Sequence, residues 1–253
     1  MKDKRVCILG GAGFIGSHLT EALVDIAKRV IVVDNYSTGQ NLVDGATYYY
    51  ADLRNYHSTL SFIKQCDIVF HLAADVGGRG YLEGKNVWSN VELDATVFRA
   101  CKDIEKLVYF SSALVYPPSG TFSETQFCDI SLADGSYGKG KLIGEMMLKD
   151  FSFDSVSIRP FTVYGERMKE NRSIGALIAK TFIKQDPFEV WGDGNQVVDY
   201  VYVKDVVNAA VFASGLGDSL NVGSGFGETP MTALEIIWSY AGWKPKDIVF
   251  RKD

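Results

Sequence analysis

The chain reads as an α/β protein built on a doubly wound parallel sheet, and three observations predict it. Apolar runs of strand length recur at residues 5–9, 30–33, 46–50, 67–72, 106–110 and 155–158, with helix-compatible segments between most of them. Such alternation calls for crossover helices on both faces of a parallel sheet. A glycine-rich turn, Gly10-Gly11-Ala12-Gly13-Phe14-Ile15-Gly16, follows the first run directly and opens a stretch over 14–27 with helical spacing of apolar residues. That is strand, tight turn, helix. Finally, 253 residues with 47% hydrophobic content can bury a large core.

Beyond about residue 159 the pattern shortens. It predicts a helix over 173–184, a turn at Gly192-Asp193-Gly194, a strand over 199–203, and helices over 206–214 and 232–240. The expected organisation is a sheet-bearing domain over 1–160, to which later segments return, and a small C-terminal substrate lobe over 161–253, either naturally short or truncated. That lobe would lie across the carboxyl ends of the strands, where open α/β sheets bind ligands. Nothing repeats at a fixed period, and no low-complexity linker interrupts the chain.

In the first turn, Gly10, Gly13 and Gly16 allow a sharp bend, and the N–H groups of Phe14 and Ile15 open a helix whose positive end favours an anion such as a pyrophosphate. The run 30–33 then ends in Asp34-Asn35, with Asp34 eighteen residues beyond Gly16. A carboxylate there accepts hydrogen bonds from adenosine ribose hydroxyls and repels a 2′-phosphate, so a Rossmann-type domain using NAD rather than NADP is expected. Asp34 also reads as a loop-starting or capping residue. The tyrosine triplet Tyr48-Tyr49-Tyr50 reads as strand filler.

Ser112 follows the run 106–110, which places it at the carboxyl edge of the sheet, while Tyr137 and Lys141 stand four apart on a helix predicted to run to about residue 148. That spacing puts the pair on one helical face, one turn apart. A tyrosine titrates near pH 10, so use as a base near neutrality needs a fall of about 3 units, roughly 4 kcal/mol. A lysine cation and an oxidised nicotinamide both push that way. Taken singly, Ser112 also reads as a helix cap, and Tyr137 and Lys141 as core-edge residues.

A net charge of −5 without a basic cluster points away from nucleic acid and anionic membranes. The well-separated Cys7, Cys66, Cys101 and Cys128 read as free, mostly buried thiols of a reducing compartment. Without a leading signal segment or an apolar run near ~18 residues, the protein is expected in the cytoplasm. His18, His57 and His71 have no metal-ligand spacing, so no metal is expected.

Together these residues resemble the extended short-chain dehydrogenase/reductases, and within them the NAD-dependent nucleotide-sugar epimerases and dehydratases. The pattern is matched further by Asp52-Leu53 at the adenine, by His71-Leu72-Ala73-Ala74 along the cofactor, by Asn90, by Ser111-Ser112-Ala113-Leu114-Val115-Tyr116, by Tyr137-Gly138-Lys139-Gly140-Lys141, and by Arg159-Pro160-Phe161 leading to Tyr164-Gly165. Locally, Ala73-Ala74-Asp75-Val76-Gly77-Gly78-Arg79-Gly80-Tyr81 looks like the glycine loop of GDP-mannose 3,5-epimerase, which implies sugar contacts by Gly77, Gly78 and Arg79; a plain flexible turn is the other reading. The resemblance also implies a nucleotide-diphosphate sugar as substrate, contacts from Ser112, Thr162 and Arg172, and a homodimer joined through the helices over 90–101 and 137–148. Val97, Phe98, Met146 and Met147 are expected in excess of one sheet-facing stripe there.

Departures narrow the reaction. Leu114 stands where the 3,5-epimerases place a cysteine acid/base, Arg172 roughly where they have a lysine, and Ala113-Leu114 where the 4,6-dehydratases carry Asp-Glu. Val198 replaces a diphosphate-gripping arginine, Thr162 replaces an asparagine, and the chain stops at Asp253 where such relatives continue for several dozen residues, as a short member or as a fragment. The expected activity is therefore that of a nucleotide-sugar epimerase acting by oxidation and reduction at a hydroxyl carbon, in the manner of a 4-epimerase. A sugar dehydrogenase and a 3,5-epimerase are the alternatives within the class. A non-catalytic NAD-binding scaffold or sensor is the alternative outside it.

Overall fold

In the computed structural model, residues 1–76, 87–126 and 128–251 are described. They form two compact units, Met1–Phe161 with Val203–Val222, and Thr162–Tyr202 with Gly223–Asp253.

The apolar runs of the first unit become β1 (Arg5–Leu9), β2 (Arg29–Asp34), β3 (Thr47–Tyr50), β4 (Ile68–His71), β5 (Lys106–Phe110) and β6 (Ser155–Pro160), with β10 (Leu220–Val222) arriving from the returning segment. They make a seven-stranded sheet in the order β10-β6-β5-β4-β1-β2-β3, with each neighbouring pair parallel. Val6, Cys7, Ile8 and Leu9 are all fully buried, as a strand covered on both faces must be. Between strands lie α1 (Phe14–Val24), α2 (Tyr56–Ile63), α3 (Val87–Ala100), α4 (Gly135–Leu148) and α6 (Val203–Ala213). α6 packs on α1, while α3 packs on both α2 and α4.

The winding direction reverses between β1 and β4. Their register sets Leu9 beside His71, so the turn after β1 and the segment after β4 emerge side by side. Crevices of this kind, at the carboxyl ends of strands where the order switches, are where open sheets hold ligands.

The expected exposure of α3 is corrected. Val97 and Phe98 are fully buried in the core with Tyr109, Cys101 and Leu107, because α3 turns that stripe toward the sheet. Met147 also packs against this core, and of the four apolar residues read as surplus only Met146 is exposed, at 54%.

The second unit carries β7 (Thr162–Tyr164), α5 (Ser173–Phe182), β8 (Phe188–Trp191), β9 (Val198–Tyr202), β11 (Gly227–Glu228), α7 (Pro230–Ala241) and β12 (Ile248–Arg251). One sheet runs β11-β9-β7 and a second pairs β12 with β8. Leu177, Phe188, Val190, Leu234 and Trp238 form its core. α7 begins at a Thr229 cap that accepts from the Thr232 N–H, has Pro230 in its first turn, and ends at Gly242 with φ +61, a start and stop that side-chain capping and a left-handed glycine produce. Among the described residues, no helix is long and apolar enough to cross a membrane.

Candidate active site

The glycines of the first turn answer to different demands. Gly10 has φ +84, and a Cβ there would lie 2.7 Å from the Ala73 nitrogen, so only glycine lets the turn press on the segment leaving β4. At Gly16 a Cβ would collide with the Gly10 carbonyl and stand 2.7 Å from the Gly11 Cα, so that glycine closes helix against turn. Gly13 is unlike both. A Cβ there would meet only the Gly10 oxygen, at 3.4 Å, which is ordinary contact. Gly13 is the N-cap of α1 and no side chain caps the helix. Packing among the described residues does not require glycine at this position, whereas close approach of an anion to the Phe14 and Ile15 N–H groups does.

Asp34, at the end of β2 and 8% exposed, uses one oxygen to accept the Ala12 N–H at 2.9 Å and the other to accept the Tyr36 N–H at 2.8 Å. Both readings of Asp34 thus meet in one side chain: it ties down the loops, and each oxygen retains a lone pair for a further donor. Asn35 is exposed and turns its Oδ1 to the Ser37 N–H at 3.0 Å. The loop then crosses the glycine turn, where Asn41 donates its N–H to the Ala12 carbonyl at 3.1 Å. A Cβ on Gly39 would stand 2.6 Å from the Ala12 oxygen, so Gly39, which spacing alone did not single out, lets the loop press on the glycine turn. Its signal is the polar turn Ser37-Thr38-Gly39. Beyond β3, Leu53 is buried while Asp52 pairs with Arg54 at 2.7 Å, and those hydrogen bonds hold its carboxyl below the usual range.

After β4, Leu72 continues the ladder by donating to the Leu9 carbonyl at 2.9 Å, and Ala73 and Ala74 follow beside the glycine turn. Asn90 on α3 is buried and clamps the next residue in both directions: its Oδ1 accepts the Asp75 N–H at 2.8 Å and its Nδ2 donates to the Asp75 carbonyl at 3.0 Å. Its amide is thus engaged in shaping that segment.

Ser112 caps a short 3-10 turn, Ala113–Val115, and its Oγ accepts the Leu114 N–H at 3.2 Å while its own O–H stays available to donate. α4 begins hard against that turn. The Leu114 carbonyl accepts the Asp134 N–H at 2.9 Å, and a Cβ on Gly138 would collide with the same oxygen. Gly138 therefore lets the start of α4 press on the turn that Ser112 caps. Lys141, one turn on, is 1% exposed, and its Nζ stands 6.0 Å from the Tyr137 ring centroid and 4.5 Å from that of Tyr109. Its Nζ has no hydrogen-bond partner among the described residues. Burial pushes the ammonium down from the ordinary lysine value, against the pull of Asp94 and Glu145. A buried donor without an acceptor is costly, and at a sheet edge it marks a place for one. With the open cradle at Gly13, it is the feature of these residues that fits a dinucleotide carrying a pyrophosphate and a ribose diol.

Gly77, Gly78 and Arg79 lie outside the described residues. Thr162, at the start of β7, and Arg172, the N-cap of α5, belong to the second unit. Val198 begins β9 opposite Glu228. Cys7, Cys66 and Cys101 are buried free thiols, and Cys128 is half-buried.

The chain is similar to known proteins along most of its length. The family model for the NAD dependent epimerase/dehydratase family matches residues 6–223. A UDP-N-acetyl-alpha-D-glucosaminuronate decarboxylase from Bacillus cytotoxicus is 30% identical over 241 residues, 87% of this chain and 75% of its own. Among solved structures, a UDP-N-acetylglucosamine 4-epimerase from Methanobrevibacter ruminantium superposes with a TM-score of 0.90 at 30% identity, covering 100% of this chain and 86% of that one. UDP-glucose 4-epimerase from Thermus thermophilus, solved in complex with NAD, gives 0.82 at 28% identity, covering 98% and 86%.

Proposed function

Because the chain belongs to the NAD dependent epimerase/dehydratase family, we propose that it is a nucleotide-sugar epimerase that inverts a hydroxyl-bearing carbon of its substrate, in the manner of a 4-epimerase. The observation that carries this reading is the buried Lys141 ammonium, without a hydrogen-bond partner among the described residues, one turn from Tyr137 on a helix whose start is packed against the Ser112 turn. NAD, when bound, supplies a hydride acceptor that returns the hydride within the same catalytic cycle.

The remaining steps belong to the chain. Tyr137 takes the O–H proton as the carbinol carbon is oxidised and gives it back on reduction. Ser112 donates its O–H to the reacting oxygen, and the Lys141 charge lowers the proton affinity of the phenol. Gly10, Gly13, Phe14, Ile15 and Gly16 form the pyrophosphate cradle at the positive end of α1. Asp34 and Asn35 face the adenosine ribose, with Asp52 and Leu53 at the adenine and Leu72, Ala73, Ala74 and Asn90 flanking the dinucleotide. Gly77, Gly78, Arg79, Thr162 and Arg172 are assigned to the sugar nucleotide. The pairing of two copies through α3 and α4, with Met146 at the contact, and a cytoplasmic location complete the reading.

Leu114 argues against the 3,5-epimerase alternative, since an alkyl group transfers no proton. The test is turnover in D₂O, followed by NMR, with NAD and a panel of UDP-hexoses, UDP-N-acetylhexosamines and UDP-hexuronates, preselected by thermal shift because a ligand of the folded state raises its apparent stability. The expected product is the C4 epimer without carbon-bound deuterium. Deuterium at C3 or C5, or loss of the carboxylate from a UDP-hexuronate, would overturn the proposal. Stabilisation without turnover of any of them would favour a non-catalytic scaffold.

A further inference from the structure

Beneath the candidate site lies a second set of polar side chains, fully buried, that the reaction above does not use. Asp94 on α3 accepts from His71 Nε2 at 2.8 Å through Oδ1 and from the Tyr109 hydroxyl at 2.5 Å through Oδ2. His71, Asp94 and Tyr109 come from α3 and two adjacent strands, and all are 0% exposed. α4 is shaped to receive them. A Cβ on Gly144 would press into the Tyr109 hydroxyl and stand 2.8 Å from Asp94 Oδ2, so glycine at this position is what admits the pair. Directly above, Lys141 Nζ lies over the Tyr109 ring at 4.5 Å and hydrogen-bonds to none of them. Among the described residues the Lys141 cation therefore faces an anion whose oxygens are held by other donors.

We infer that Asp94, gripped by His71 and Tyr109, is the counter-charge of Lys141, a positioning residue that fixes the buried ammonium beside Tyr137 while leaving its N–H donors available. The inference rests on the reading of Lys141 as working in its charged form. A carboxylate bonded to Lys141 directly would use up those donors; one bonded to His71 and Tyr109 instead stabilises the charge and leaves them. The other groups around Lys141 do not replace it. Glu145, on the same helix, is bound by Arg159 through two hydrogen bonds. Burial holds the Tyr109 phenol well above its ordinary value and so neutral, and burial keeps the His71 imidazole below its ordinary value despite Asp94. Asp94 itself is held below the usual range, burial being outweighed by the Lys141 charge and the His71 and Tyr109 donors.

The test reads Lys141 directly, in protein carrying 13C-labelled lysine ε-carbons, from the midpoint of its resonance against pH, with NAD affinity and melting temperature as checks on folding. Asp94→Asn keeps the size of the side chain and removes its charge. The Lys141 midpoint is expected to fall by about one pH unit or more, the usual effect of losing a nearby opposite charge. A merely structural Asp94 would lower the melting temperature and leave the midpoint in place, and that result overturns the inference. Should Asp94→Asn fail to fold, the coupling is read in reverse through Lys141→Met. The His71 Cε1 midpoint is then expected to rise, because the Lys141 charge no longer opposes the imidazolium and Asp94 is left to His71, and an unmoved His71 midpoint overturns the inference equally. Neither readout depends on turnover, so a 4-epimerase reading that fails in the D₂O experiment is distinguished from an Asp94 that fails here.

Discussion

α4 carries two buried charges four residues apart, and they are treated in opposite ways. Glu145 meets Arg159 in a two-pronged ion pair, Nε at 2.9 Å and Nη2 at 2.6 Å, and the remaining Nη1 donates to the Tyr116 hydroxyl at 2.6 Å. Tyr116 in turn donates to the Asn221 Oδ1 at 3.0 Å, joining α4, β6 and the returning segment. That cluster closes on itself. Lys141 is as deeply buried, yet its charge is balanced only at a distance and its donors point to nothing in the described chain. A completed network holds the fold together, whereas an incomplete one at a strand's carboxyl edge is held ready for a ligand.

The comparison breaks first if the closed cluster proves dispensable. Glu145→Ala leaves the Arg159 guanidinium buried with one neutral partner, an error that costs about 3–5 kcal/mol, and chemical denaturation is expected to show a loss of that order or outright failure to fold. Lys141→Met removes a desolvated cation and leaves Asp94 to the His71 and Tyr109 donors that already hold its two oxygens, so its cost is expected to be the smaller of the two, while activity disappears. Equal stability losses would erase the distinction between the two clusters.

Tyr137→Phe sharpens the functional side. Turnover is expected to fall by about 100-fold or more, the low end for a lost general acid/base, with NAD affinity changed less than about twofold by calorimetry. Retention of half the activity would remove Tyr137 from its assigned role.

A smaller effect separates the glycines. Gly10→Ala introduces a Cβ 2.7 Å from the Ala73 backbone at φ +84, and strain of about 1–3 kcal/mol is expected in the melting curve. Gly13→Ala meets nothing closer than 3.4 Å, so the expected stability loss is no more than about 1 kcal/mol, that of alanine at an N-cap, while NAD affinity falls about tenfold, or 1.4 kcal/mol. If Gly13→Ala destabilises the protein by more than about 1 kcal/mol and binds NAD normally, its glycine serves packing rather than a pyrophosphate.

These contrasts also mark where the sequence was readable. Continuous apolar runs announced β1, β2, β4, β5 and β6, because a strand buried on both faces needs apolar residues at every position. β10 was not anticipated, since Leu220-Asn221-Val222 is too short to show a period and exists by pairing with β6. The site divided the same way. Tyr137 and Lys141 were visible by helical spacing, and Asp34 by its distance from the glycines. Asp94 was not: on a helix beginning Val87-Trp88-Ser89-Asn90-Val91-Glu92 an acidic residue reads as a solvent-facing position, and only the fold brings His71 and Tyr109 to it. Val97 and Phe98 were misjudged for the related reason that periodicity identifies a stripe without saying what covers it.

The smallest effect is expected at the opposite edge of the same sheet, where charge is exposed. Arg5 opens β1 and Asp67 precedes β4, at the amino ends of the two strands whose carboxyl ends frame the candidate site. Asp67 accepts the Arg5 N–H at 2.7 Å, its Nε at 3.1 Å and its Nη2 at 2.5 Å, and this grip holds the carboxyl down to about 2. The Arg5 side chain is 44% exposed, so solvent screens most of the attraction, and Asp67→Asn is expected to cost less than ~1 kcal/mol at pH 7. Because the folded value lies below the unfolded value near 3.9, the contribution is fully present above about pH 4 and is lost as pH falls toward 2. Urea midpoints of the native protein and of Asp67→Asn should therefore differ slightly at pH 7, converge on acidification and converge again in high salt. NAD affinity should be the same in both, since the pair stands at the far end of the strands from the glycine turn. A difference that persists unchanged at pH 2.5 would mean that Asp67 acts through its shape and not its charge.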